Sequence, residues 1–173
     1  MRDKAALKAE LIATLAAAFE TAQRAHRAAL EGATHSEARA ENSKDTRGLE
    51  QSYLARGQAQ RVAELETAVV EVTALAVDPT ALPFGSAARR AQVPAIEPRT
   101  RVTVGALVTV EEDGAETELF VAPHGGGSVL AGGVQVVTPV SPLGRALLGK
   151  QAGDEVEVAL PGRTRSLVVV HIA

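Results

Sequence analysis

The sequence predicts an α+β protein: an antiparallel α-helical coiled-coil hairpin over residues 1–77, a proline-rich linker over 78–101 and a small β-rich domain over 102–173. Three observations lead there. Apolar residues recur at steps of three and four before residue 77, and at steps of two after residue 102. Aromatics make up only 2% of the 173 residues, with no Trp, one Tyr and three Phe, although 46% of the chain is hydrophobic. An apolar mass made largely of alanine and aliphatic side chains suits long helices paired along a narrow seam better than one thick globule.

From Asp3 to about Leu30, Leu7, Leu11, Leu15, Phe19 and Ala22 form a stripe with Lys, Glu and Arg between them, the pattern of an amphipathic helix. Gly32 stands where a helix stop is expected. The stretch from Thr34 to Arg47 has almost no large apolar residue and reads as a polar tip near 34–48. Helical periodicity resumes at Leu49 and Tyr53 and settles into Val62, Leu65, Val69, Val72 and Ala76, a 3-4-3-4 spacing. Two such helices joined by a short polar connection pair antiparallel, each about 40 Å long at about 1.5 Å per residue.

Asp78-Pro79 ends the pattern, and Pro83, Gly85, Pro94 and Pro98 mark the linker. Beyond it the period-two runs predict strands at 102–112, 117–122, 128–130, 134–138, 155–160 and 165–172. Asp113-Gly114, Gly125-Gly126-Gly127 and Pro161-Gly162 divide them. The glycine run is assigned to a flexible hairpin loop. One short helix interrupts the strands, with Ser141 as cap, Pro142 in the first turn, Leu143, Leu147 and Leu148 packing, and Gly149 as stop.

Composition excludes several functions. A net charge of −3 with no basic patch interleaved with aromatics argues against independent DNA or RNA binding. No cysteine is present, so thiolate metal sites are ruled out. The four histidines, His26, His35, His124 and His171, have no zinc spacing. No Walker A run, dinucleotide fingerprint or G-x-S-x-G elbow occurs. The N-terminus has no signal-peptide core and no membrane span, so a cytoplasmic protein is expected.

The segment Ser141-Pro142-Leu143-Gly144-Arg145-Ala146-Leu147-Leu148-Gly149-Lys150, followed by Gly153-Asp154-Glu155-Val156 and Pro161-Gly162, resembles the C-terminal domain of the Gre (GreA/GreB) family of bacterial transcription factors. The likeness runs from Val104 to the end, and the hairpin in front agrees with that family's coiled coil. It implies an FK506-binding-protein-like C-terminal fold that docks on RNA polymerase through a loop containing Thr138, Ser141 and Pro142. The coiled coil would then enter the polymerase's secondary channel and stimulate the polymerase's own cleavage of transcripts in backtracked complexes. On this reading the protein is not itself an enzyme, meets nascent RNA only indirectly, has no cofactor of its own and uses Mg²⁺ of the polymerase active site. A prolyl isomerase of that fold is excluded, because Phe120 is the only aromatic from Val102 onward.

The family's cleavage factors carry an Asp and a Glu separated by two residues before a Tyr. Aligning Tyr53 on that Tyr puts Thr46 and Leu49 at the acidic positions, so the spacing departs from the family's. The tip offers the carboxylates Glu37, Glu41, Asp45 and Glu50, of which Asp45, Glu41 and Glu50 are the candidates for the catalytic site. Carboxylate oxygens suit hard Mg²⁺, and Asp45, short and at the turn, is the expected contact to the polymerase-held ion. Its companion is left open between Glu41 and Glu50. The altered spacing equally admits a secondary-channel regulator that does not support cleavage.

Overall fold

The computed structural model describes residues 2–34, 47–77, 101–160 and 162–173. Two helices come first, α1 (Lys4–Thr34) and α2 (Arg47–Ala74). Asp3 starts α1, its Oδ1 accepting from the Ala5 amide at 2.8 Å. Helix α1 runs two residues past Gly32, the expected stop. A glycine disfavours a helix by only about 1 kcal/mol, too little by itself to end one.

The chain divides into two compact units, Ile12–Val70 and the combination of Met1–Leu11 with Glu71–Ala173. In the first, the seam uses Leu15, Ala22, Ala29, Ala55, Leu65 and Ala68, all buried. Phe19, Val62 and Val69 are only half-buried. His26 occupies a seam position, and its Nδ1 lies 3.0 Å from the Ala55 carbonyl oxygen, which fixes that nitrogen as the donor. Leu65, 5% exposed, is the bulkiest buried side chain among the described ones on α2 in this unit. Leu65→Ala is expected to cost about 2–5 kcal/mol, read as a lowered melting temperature by circular dichroism; an unchanged melt would remove Leu65 from the seam.

The second unit is a six-stranded sheet of β1 (Leu107–Glu112), β2 (Ala115–Val121), β3 (Val129–Leu130), β4 (Val134–Val137), β5 (Glu155–Leu160) and β6 (Arg163–Ile172), in the order β3-β4-β2-β1-β6-β5. All neighbours are antiparallel except β2 and β4. Asp113 and Gly114 both have positive φ, 52° and 81°, as the tight turn between β1 and β2 demands. The strand expected to begin at Val102 begins at Leu107. Val102 is instead tied to the far side of the short helix, its N–H donating to the Lys150 carbonyl at 2.8 Å while its own carbonyl accepts from Gly149 at 2.9 Å. The Gly125–Gly127 run does not close a hairpin, because β4 lies between β2 and β3.

One face of the sheet carries Val108, Val110, Leu119, Val121, Val156 and Val158 into a core closed by the short helix α3 (Pro142–Leu147). On the opposite face Leu107, Phe120, Val134 and Val136 are also buried. The ends of the hairpin reach this side within the same unit. The Arg2 side chain bonds Glu118 and the Gly132 carbonyl, and the Glu10 carboxylate accepts from the Ala131 amide at 2.9 Å. Lys8 Nζ donates to the Thr73 and Leu75 carbonyls at 2.7 and 2.8 Å, satisfying acceptors that the end of α2 leaves open. Glu112 and Arg165 pair bidentately across β1 and β6; this hydrogen bond, against a smaller opposing effect of burial, pushes the Arg165 pKa further up.

Candidate functional site

Thr138, Pro139, Val140, Ser141 and Pro142 connect β4 to α3, and two prolines in five residues leave this loop few conformations. Its shape is set by one carbonyl. The Thr138 oxygen accepts from the Ser141 amide at 3.0 Å and from the Ser141 hydroxyl at 2.8 Å. The same hydroxyl oxygen accepts from the Gly144 amide at 3.0 Å, capping α3. Gly144 makes this possible, because a Cβ at that position would stand 1.9 Å from the Thr138 oxygen. Ser141, Gly144 and Thr138 are therefore one unit of local structure, and the residues that made the sequence segment distinctive are those that fold the loop.

The loop presents apolar surface. Val140 is 76% exposed, and Pro142 beside it is exposed too. Desolvating such a rigid apolar knuckle stabilises a complex with little ordering cost. Val140 was not among the expected contact residues. Its signal, an aliphatic residue wedged between Pro139 and a helix cap, is legible only once the direction of its side chain is known. Gly126 packs against the other side of Thr138, where a Cβ would lie 2.9 Å from the methyl group. His124 Nε2 lies 2.8 Å from Glu71 Oε2, tying the glycine loop to the end of α2.

Thr138, Ser141 and Pro142 are thus brought together. Of the tip residues, Glu50 falls in the first turn of α2, while Glu41 and Asp45 lie outside the described residues. A groove of about 480 Å³ between α1 and α2, lined by Ala18, Thr21, Ala22, Gln58, Arg61 and Leu65 among others, has no carboxylate or histidine in its lining. Among the described residues no three His, Asp or Glu side chains gather as a metal ion would require, and no helix is long and apolar enough to cross a membrane.

Residues 97–173 match the family model described as the C-terminal part of transcription elongation factor GreA/GreB. Over these residues the chain is similar to the GreA/GreB family. The transcription elongation factor GreA of Beijerinckia indica is 38% identical over 74 residues, 42% of this chain and 45% of that protein. GreA of Magnetococcus marinus is 35% identical over 75 residues, 42% of this chain and 46% of that one. The match thus spans less than half the length of these curated GreA/GreB relatives, and lies in the C-terminal half. The crystal structure of Thermus aquaticus Gfh1 is 22% identical, covers 94% of this chain and 90% of its own, and has a TM-score of 0.37; a superposition at that score carries no argument about function.

Proposed function

We propose that this chain is an RNA polymerase-binding elongation factor that docks through the Thr138–Pro142 loop and places its helical hairpin in the polymerase's secondary channel. The observation that carries the reading is the loop itself: a rigid, apolar, solvent-facing knuckle in the segment with GreA/GreB kinship. In the family such a factor has no active site of its own. Two-metal chemistry would be supplied by Mg²⁺ held in the polymerase. This chain's part is to present oxygen ligands from Asp45, with Glu41 or Glu50 beside it, and hard carboxylate oxygens fit that ion.

Docking is expected to depend on Val140. Val140→Asp places a charge where the partner must desolvate an apolar contact, and affinity for polymerase should fall about tenfold or more with the melting temperature unchanged, since the side chain is exposed. Equal affinity would remove the loop from the interface.

A second reading rests on the tip. Without the D-x-x-E spacing, the protein occupies the channel without supporting cleavage and retunes transcription instead. The deciding experiment is transcript cleavage by a halted, backtracked complex of the cognate polymerase, with and without this protein. Faster cleavage supports the first reading; binding with no cleavage supports the second. Absence of binding would overturn both.

A further inference from the structure

The second face of the sheet is covered only in part. On this face Leu107, Phe120, Leu130, Val134 and Val136 are buried. Among the described residues, the part beside the β1–β2 turn and over β6 and β5 is exposed. There one cross-strand row runs Glu116–Glu111–Val168–Glu155, each neighbour directly opposite the next. Glu157, paired with Ser166, continues the same side. All four glutamates are exposed. Val168 is 36% and Val170 41% exposed.

Such a row has a cost. Glu111 and Glu116 face each other on adjacent central strands, and like charges directly opposite are destabilising. Acidic residues on β5 have an ordinary explanation, since charge on an edge strand deters pairing with another chain. That explanation does not extend to Glu111 and Glu116, because β1 and β2 are interior strands. No described lysine or arginine offsets them on this side. Arg2 is held by Glu118, Arg165 points with the opposite parity and pairs with Glu112, and Lys150 donates to the Glu155 carbonyl.

We infer that this open half-face is a second docking surface, one that takes a basic protein segment with aliphatic residues over Val168 and Val170 and Lys or Arg against the four glutamates. Charge complementarity selects the occupant. Four carboxylates repel nucleic-acid phosphates and anionic lipid headgroups, so neither can settle there. A basic polypeptide relieves the repulsion between the glutamates as it binds, and the two valines supply apolar area at the centre of the contact. Resting on the proposed function, the partner is a basic segment of RNA polymerase, separate from whatever the Val140 loop meets.

The test uses the full chain, as wild type and as the triple variant Glu111→Gln, Glu116→Gln, Glu155→Gln, titrated against cognate core polymerase at low and high salt. Removing like charges should leave the melting temperature equal or higher. Affinity at low salt should nevertheless fall about tenfold, with a weaker salt dependence than the wild type shows. Unchanged affinity, with wild type binding well, would overturn this surface and leave the proposed function standing. Failure of the wild type to bind polymerase at all would overturn the proposed function, and this surface with it. A wild-type dimer in sedimentation that Val168→Asp dissolves, with polymerase affinity intact, would assign the face to self-association and overturn the inference.

Discussion

Asp45→Asn is expected to leave affinity for polymerase within a few-fold of wild type while lowering stimulated transcript cleavage by roughly 10²-fold or more, a loss of about 2.7 kcal/mol in the barrier. The substitution keeps the size and hydrogen-bonding reach of the side chain and removes its charge. A carboxylate that completes a metal's oxygen shell contributes only when that metal is engaged, whereas the proposed docking loop belongs to a different compact unit. Binding and chemistry should therefore separate. Glu41→Gln and Glu50→Gln measured in the same assay identify the companion ligand, since the tip spacing admits either. Equal cleavage by wild type and Asp45→Asn would remove Asp45 from the site. A wild type that binds but never stimulates cleavage would make this chain the non-cleaving regulator.

Gly144→Ala is expected to be the most damaging single change in the C-terminal domain for its size. In an exposed helix this substitution gains about 1 kcal/mol of helix propensity. Here the added Cβ meets the backbone oxygen of Thr138 at 1.9 Å, and backbone cannot rotate aside as a flexible side chain can. Overpacking of this kind costs about 1–3 kcal/mol. Moving Thr138 away also breaks the Ser141 cap, worth about 0.5–2 kcal/mol, so the loss exceeds the gain. Its signature is double: a melting temperature lower by several degrees, and weaker polymerase binding as the Val140 knuckle shifts. Ser141→Ala, which removes the cap without the clash, should show the smaller version of both effects. A Gly144→Ala protein as stable as wild type would mean that α3 slides freely, and the loop could not then be the rigid contact described.

Much of the fold was legible because its determinants are local. The 3-4 spacing of Leu7, Leu11, Leu15 and Leu65 selects helices, the Asp113-Gly114 pair selects a tight turn, and Ser141-Pro142 with Gly149 brackets one short helix. These follow from backbone preferences within a few residues. The β5 strand was expected over the residues it occupies, since Glu155, Glu157 and Ala159 alternate with buried Val156 and Val158.

Other features depended on partners distant in the chain. A strand from Val102 satisfies the alternation of apolar residues, but Val102 is captured by Gly149 and Lys150, which no spacing near residue 102 announces. The glycine run read as a hairpin loop because consecutive strands usually pair, and the parallel placement of β4 beside β2 excludes that pairing. Of the candidate site, the types of residue were readable and their arrangement was not. The sequence by itself determined a helical pair and a period-two domain, since periodicity and turn residues are properties of neighbours; the expected tip carboxylates Glu41 and Asp45 lie outside the described residues. Only the folded structure decided that Val140 faces outward, and that Glu116, Glu111 and Glu155 align across three strands around Val168, because register arises between segments that the chain's own order keeps apart.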